Sequence, residues 1–226
     1  MVALSKKYPL LEWGIQVSGK KCSFGSSRLG WIYRLQGYLQ EENQNIDLAL
    51  HVNADWVEDF CTGRLSPELN TLLRLRNVLG TSLFKRVQLN FKIGREKTPN
   101  KKLLILRMQE YGFGRRFILS YNDENSEFIQ SLYAEGVRHF DVLFDASHGE
   151  GISAAQWHEP AFTDKTILQG YAGGLSPENI AEEVKKIREV VPEDRAFYID
   201  AEGKLKGEDR HLSLERCEEY IKNALP

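Results

Sequence analysis

Cysteine is scarce in this 226-residue chain, with three in all. Cys22, Cys61 and Cys217 are odd in number, far apart and without a CxxC pair. That excludes a disulfide framework or a close-spaced zinc motif and fits a reducing compartment. Long apolar runs are also missing, since no stretch approaches the roughly 20 residues that cross a bilayer. Met1 to Trp13 holds two lysines but no apolar core of the length a signal peptide needs. Charge of one sign is lacking too: 30 Lys and Arg stand against 32 Asp and Glu, for a net charge of −2. With no basic run, nothing here attracts nucleic acid or an anionic membrane. There is no Walker loop, no nucleophile elbow, no low-complexity tract and no linker. The expectation is a cytoplasmic protein with no cofactor and no resident metal, acting on a small molecule.

What is present is an alternation of short apolar runs and helical stretches, the pattern of βαβ units and a parallel sheet. Apolar residues make up 42% and charged residues 27%, as in an ordinary globular domain. A single α/β barrel usually needs about 250 residues, with a lower limit near 200. The length therefore predicts one lean TIM (β/α)8-like barrel domain over residues 1–226. Seven strands are visible: Trp13–Ser18, Leu48–Asn53, Val87–Phe91, Phe117–Asn122, Asp141–Ser147, Leu168–Gly173 and Phe197–Glu202. Several are apolar along most of their length, which predicts burial on both faces.

Helix signals fall between the strands. Ser66-Pro67-Glu68 supplies an N-cap, a first-turn proline and a first-turn acid, with Gly80 as a stop. Ser176-Pro177-Glu178 repeats that order before Ile180–Val190. Asn125–Glu135 runs into Gly136, and Ser213 caps a last helix. Residues 99–111 are ambiguous, because Leu103-Leu104-Ile105-Leu106 has the composition of a strand. Only residues 110–115 would then join it to the next strand, whereas a parallel crossover needs about a dozen or more. A helix from Thr98-Pro99 to Gly112 is the better reading, with a rim hairpin as the alternative.

Side chains two apart share a strand face, and most of these strands end in a polar pair at that spacing. The pairs are Gln16 with Ser18, His51 with Asn53, Gln88 with Asn90, Ser120 with Asn122, Asp145 with Ser147, and Asp200 with Glu202. In a parallel barrel such pairs converge on the C-terminal mouth, where barrel enzymes keep their chemistry. Any one pair is explained by solvation alone, but together they predict a polar cavity.

The most informative stretch is Gly170-Tyr171-Ala172-Gly173-Gly174-Leu175-Ser176-Pro177-Glu178-Asn179-Ile180. Two glycines after a strand let backbone approach a ligand with no Cβ in the way. The helix that follows begins with unpaired, partly positive N–H groups, a seat for phosphate. The string resembles the AGGL-x-PEN segment of the phosphoribosylanthranilate isomerase family. Leu143-Phe144-Asp145-Ala146-Ser147 is similar to that family's LLDS strand. Gly149-Glu150-Gly151 stands where the family has a glycine-rich loop, and Gln156-Trp157 is similar to its D-W. Val87-Gln88-Leu89-Asn90 resembles VQLHG, and His51-Val52-Asn53 resembles VFVN. The match spans roughly residues 48–226 and is most specific in the last third.

The resemblance implies a (β/α)8 barrel catalysing an Amadori rearrangement of an aminoaldose phosphate to an aminoketose phosphate. It implies Asp145 as general acid, and Gly173, Gly174 and Gly203 as phosphate-binding backbone. Ser27-Arg28 is similar to the family's SPR segment, which makes Arg28 a candidate for a substrate carboxylate. Two departures stand against the literal activity. If Trp13–Ser18 is the family's second strand, the strand that carries its cysteine base is missing; if it is the first, Gly14-Ile15-Gln16-Val17 has no cysteine where the family has KICG, and Cys22 reads as an ordinary loop thiol. The eighth-strand segment reads Asp200-Ala201-Glu202-Gly203-Lys204 instead of SSGVE. A carboxylate about 5 Å from a phosphate costs about 3 kcal/mol at an effective dielectric of 20, and a helix dipole returns only about 0.3–2 kcal/mol. A phosphate seat therefore requires Lys204 or Lys206 to fold back.

Three readings follow. The favoured one is an acid–base isomerase or related lyase of a small, phosphorylated, sugar-like metabolite. In it Asp145, Asp200 and Glu202 are catalytic, and Arg28, His51, Asn53, Gln88, Asn90, Asn122 and His148 contact substrate. The second is a ligand-binding barrel without turnover, and the third a metal-assisted enzyme using strand-end carboxylates. Trp157 reads as packing rather than as a platform for a ring substrate.

Overall fold

The computed structural model describes residues 1–91, 93, 98–145 and 156–225, in two compact units, Met1–Phe140 and Asp141–Pro226. The first unit holds strands β1 (Glu12–Val17), β2 (Asp47–Val52), β3 (Arg86–Leu89) and β4 (Arg116–Ser120). They pair in sequence order and in parallel, with Gln16 beside His51, His51 beside Gln88, and Gln88 beside Ile118. Its helices are α1 (Val2–Lys7), α2 (Ser27–Glu41), α3 (Asp55–Thr62), α4 (Pro67–Arg74), α5 (Lys101–Tyr111) and α6 (Ser126–Ala134).

The strand faces differ more than the apolar composition suggests. Ile15, Leu50, Val87 and Phe117 form one row and are buried. Phe117 meets Phe60 of α3 at 5.8 Å between ring centroids, and Phe60 meets Tyr111 of α5 at 6.2 Å. This is the helix-covered face, where each large side chain contributes about 1.5–3 kcal/mol by leaving water. The opposite face is mostly polar. Gln16, His51 and Gln88 share one row with Ile118, and Gly14, Ala49, Arg86 and Arg116 form the row before it. Burial nevertheless extends to both faces, as the apolar runs suggest: Ala49, Gln88 and Ile118 are buried on this face as Leu50, Val87 and Phe117 are on the other.

Residues 101–111 are helical, capped by the Asn100 side chain, which accepts from Leu103 N–H at 3.1 Å. Ser66 caps α4 with Pro67 in the first turn, but that helix ends at Arg74. Gly80, at φ +73°, instead turns a short loop closed by an antiparallel bridge between Arg76 and Ser82. Arg115 is buried and donates to the carbonyls of Leu73, Phe84 and Tyr111.

The second unit is built from β5 (Phe140–Asp145), β6 (Gln169–Ala172), α7 (Ile180–Val190), β7 (Phe197–Asp200), a 3-10 turn (Gly203–Leu205) and α8 (Leu214–Ala224). Ser213 caps α8, accepting from Arg216 N–H. Strands β5, β6 and β7 are parallel and in sequence order. Among the described residues no helix joins β5 to β6. The irregular chain from 156 to 168 covers the sheet instead. Trp157 is buried, donates to Glu183 of α7 at 2.7 Å, and sets its ring edge-on to Tyr171. Arg195 fixes the same stretch by donating to the carbonyls of Phe162, Asp164 and Ile167. Trp157 is thus a packing residue, as its sequence context suggests. No helix of the described chain is long and apolar enough to cross a membrane.

Candidate functional site

In the second unit the register puts Asp145 beside Ala172 and Ala172 beside Asp200. Register partners in a parallel sheet project to the same side, so the two aspartates flank the Ala172 methyl in one row. Phe144, Tyr171 and Phe197 belong to the other face, with Trp157. The aspartates therefore stand on the face away from that aromatic cluster. Two strand spacings separate their backbones, about 9.6 Å. They do not form a touching pair, and the gap between them is floored by one small side chain. One row earlier, Tyr198 of β7 lays its ring across Gly170 and donates to the Val142 carbonyl at 3.1 Å.

Directly after Ala172 come Gly173 at φ +113° and Gly174 at φ +63°. Both are buried, and no acceptor among the described residues meets either N–H. A buried donor left unpaired costs about 1–3 kcal/mol, so two in succession call for an acceptor beyond the described residues. The loop is held open by its own side chains. Asn179 accepts from Ser176 N–H at 2.8 Å and donates to the Gly174 carbonyl at 3.0 Å. The Ser176-Pro177-Glu178 signal thus works in reverse: Asn179 caps the turn, and the helix proper starts at Ile180.

Glu178 is exposed and held by Arg216 at 2.7 Å. The Ser176 hydroxyl, and then Arg216, pull its carboxyl down to about 2 from the ordinary 4.5. The folded value lies below the unfolded one, so this contribution to stability is complete above about pH 4.5 and is lost as pH falls toward 2. Wild type is expected to lose thermal stability across that window, and Glu178→Gln is expected to lose less. Melting curves of the two proteins at matched pH values check this, and parallel losses would remove Glu178 from the account.

Glu202 is half exposed and ion-paired with Lys206 at 3.0 Å. Lys206 therefore does fold back, and one of the two carboxylates expected to repel a phosphate is countered. Gly203 is exposed, with nothing within 4 Å of where a Cβ would stand. Tyr220 of α8 is buried, and its hydroxyl has no partner among the described residues. Burial, then the Asp200 charge, pushes that phenol upward.

In the first unit the sequence-predicted residues form a hydrogen-bonded run. Gln88 Nε2 donates to Asn90 Oδ1 at 2.8 Å, Asn90 Nδ2 donates to Asn53 Oδ1 at 2.8 Å, and Asn53 Nδ2 donates to the His51 carbonyl at 2.9 Å. The His51 ring lies over Gly14, where an added Cβ would stand 2.6 Å from Nε2. Asn122 is not part of this run, and its side chain accepts from Asn125 N–H at 3.0 Å at the start of α6. Arg28 is exposed in the first turn of α2, its guanidinium 6.0 Å from the Trp31 ring centre. Cys22 is buried, and burial raises its thiol above the ordinary range, so it is not held as a thiolate. His148 and Ser147 lie outside the described residues. Among the described residues, no group of three or more His, Cys, Asp or Glu side chains is placed to hold a metal ion.

Sequence reasoning missed Gly14, Gly170 and Tyr198. The signal was there, since a glycine inside an otherwise apolar strand marks close approach by another group.

The fold defines the class: α/β, of the TIM (β/α)8-like barrel type with seven strands in view. A solved monomeric form of the dimeric phosphoribosylanthranilate isomerase from Thermotoga maritima aligns over 94% of this chain and 86% of its own, with a TM-score of 0.52 and 16% identity. Another structure of the Thermotoga maritima enzyme covers the same shares, with a TM-score of 0.45 and 14% identity. At such identity the likeness is one of fold. No family model matches the chain, and no curated protein matches it in sequence.

Proposed function

We propose that this chain is an acid–base isomerase or related lyase acting on a small phosphorylated, sugar-like compound. The observation that carries the reading is the pair of buried N–H groups at Gly173 and Gly174 that meet no acceptor among the described residues, one step beyond the row Asp145–Ala172–Asp200. Phosphate oxygens accept from the two amides, and the ion pair of Lys206 with Glu202 lowers the opposing charge. Asp145 serves as the acid, as the resemblance of Leu143-Phe144-Asp145-Ala146-Ser147 to the isomerase family's LLDS strand also implies. Asp200, across the Ala172 gap, serves as the partner carboxylate. Proton transfer by such groups contributes on the order of 10²–10⁴ in rate.

The Amadori rearrangement implied by the sequence resemblance is not the reaction proposed. β1 carries no cysteine, and Cys22 is a buried thiol. The same observation supports a second reading, a barrel that binds the ligand without turning it over.

The test is a thermal-shift series with inorganic phosphate and a panel of sugar phosphates, run on wild type and Gly174→Asp. Aspartate tolerates positive φ but places a negative charge in the seat. A ligand at 100 times its Kd adds about 2.7 kcal/mol, a rise of several degrees for a protein of this size. Wild type is expected to show that rise and the variant to lose it. If no phosphorylated compound stabilises wild type, the reading is wrong. A stabilising compound is then incubated with the protein and followed by NMR, and its conversion separates enzyme from binder.

A further inference from the structure

We infer that the first unit carries a binding site for a neutral, hydroxyl-bearing compound, in which Gln88 presents its side-chain carbonyl oxygen to a ligand donor. This inference does not depend on the phosphate seat. It starts from a backbone carbonyl, which only accepts. The His51 carbonyl takes its hydrogen bond from Asn53 Nδ2, and that fixes which way round the Asn53 amide stands. Its Oδ1 must then face Asn90, which has to answer with Nδ2. Asn90 Oδ1 in turn faces Gln88, which has to answer with Nε2. Side-chain amides usually have no such anchor and are free to present either end. Here each amide is set by the one before it, and the chain of donation ends with Gln88 Oε1 as the acceptor the run does not use.

Gln88 is 5% exposed, and no donor among the described residues reaches its Oε1. Two features make this atom a recognition element. The first is its setting. Gln88 shares a row with Gln16 and His51 on the face opposite Phe60 and the α3 and α5 helices. Beyond it on the same face lie Asn53 and Asn90, which keep one N–H each beyond the bonds they make within the run. The second is the absence of a permanent charge in the rows of Gln88 and Asn90. In the preceding row Arg86 is taken by Glu12 through a fork of bonds at 2.6–3.1 Å, and Arg116 donates to the Phe140 carbonyl.

The chemistry of the ligand follows. A phosphate or carboxylate oxygen set against Gln88 Oε1 puts acceptor against acceptor, and among the described residues no cation of these rows is left to offset it. An apolar group leaves the Gln88 carbonyl and the amide N–H groups unmet, at about 1–3 kcal/mol each. A hydroxyl donates to Gln88 and accepts from an asparagine, so a polyol or an unphosphorylated sugar ring matches the row. A site built around a donor group discriminates strongly against analogues that lack it.

The experiment uses the full chain and unphosphorylated probes: glucose, ribose, ribitol and inositol, with phosphate and citrate as anionic comparisons. Saturation-transfer NMR reports binding, and the His51 ring signals report its location. At least one neutral probe is expected to bind and to move the His51 signals, with neither anion doing so. Gln88→Leu is expected to weaken binding at least tenfold. Asn53→Ala, which removes the anchor and lets the Gln88 amide turn, is expected to weaken it severalfold. Asn53→Ala also carries the test if Gln88→Leu does not fold. The inference is overturned if no neutral probe moves the His51 signals, if an anion moves them more, or if both variants bind like wild type. Loss of the phosphate response in Gly174→Asp is expected to leave these signals unchanged, so the two sites fail separately.

Discussion

Arg115→Met is expected to destabilise the first unit by about 3 kcal/mol, a large effect for a residue outside either candidate site. Arg115 is 5% exposed, and among the described residues no carboxylate stands at hydrogen-bond distance from its guanidinium. It donates through Nη2 to the Leu73 carbonyl at 2.8 Å, through Nε to Phe84 at 3.0 Å and through Nη1 to Tyr111 at 3.1 Å. Leu73 and Tyr111 lie in the last turns of α4 and α5, where carbonyl dipoles leave partial negative charge and a cation is stabilising. Charged hydrogen bonds contribute about 1.5–3 kcal/mol each, so three set a gross gain of about 4.5–9 kcal/mol. Against this stands the cost of burial, which pulls the group's pKa from 12.5 to about 10. At 1.36 kcal/mol per pKa unit, that cost is about 3 kcal/mol. The bonds win, and methionine of similar length removes them while leaving three buried carbonyls without donors. Arg115→Lys keeps the charge but not the fork, and falls between. Urea unfolding of the three proteins measures the differences. A loss under about 1 kcal/mol for Arg115→Met would mean that water replaces the arginine at all three carbonyls.

How far the sequence went can be judged from particular elements. Strands were legible because strands covered on both faces read as short, nearly continuous apolar runs, and all seven lie where those runs are. Helix α5 was legible from chain length, since Leu103-Leu104-Ile105-Leu106 could not return to a parallel strand in the residues that follow. The two-sided burial read into the strands holds for β2 to β6, where consecutive residues are buried, but the polar side chains of Gln16, His51 and Gln88 on one face were not legible as a single row. The end of α4 was missed because Gly80 has the φ of a helix stop but serves a loop six residues beyond Arg74. In the site, residue type was legible and partnership was not. Asp145 and Asp200 were readable as strand-end acids. That a whole strand stands between them follows from strand order, which no local pattern states. Asn53, Asn90 and Gln88 were each readable as polar strand ends, but the direction of donation among them depends on one backbone carbonyl. The pinning of the Gly174 carbonyl by Asn179 likewise arises only once the turn closes.

Gly170→Ala is expected to destabilise the second unit by about 2–3 kcal/mol, and the sign is the informative part. At an unstrained position, replacing glycine by alanine stabilises by about 0.4–1 kcal/mol, because the unfolded chain loses freedom. Gly170 has no positive φ to strain an alanine. What opposes the substitution is the Tyr198 ring, since an added Cβ would stand 2.6 Å from Oη and closer still to ring carbons. The ring cannot swing away freely, because its hydroxyl is bonded to the Val142 carbonyl two strands over. Overpacking of this kind costs about 1–3 kcal/mol, and the lost bond adds about 1 kcal/mol. Tyr198→Ala opens the space, so the double variant Gly170→Ala/Tyr198→Ala is expected to be at least about 1 kcal/mol more stable than the sum of the single changes predicts. Denaturation of the four proteins measures that coupling, and a neutral or stabilising Gly170→Ala would refute the seating of the ring. The arrangement bears on the candidate site because Tyr198 lies one row before Asp145, Ala172 and Asp200. Its hydroxyl spans β7 to β5, the two strands that carry the aspartates, and passes over a glycine to do so. The same geometry recurs in the first unit, where the His51 ring lies over Gly14 one row before the amide run. In each unit a ring set over a strand glycine lies beneath or within the polar row. Alanine at Gly170 is therefore expected to weaken phosphate binding as well as folding, while Tyr198→Phe, which keeps the ring and loses only the bond, is expected to spare most of both.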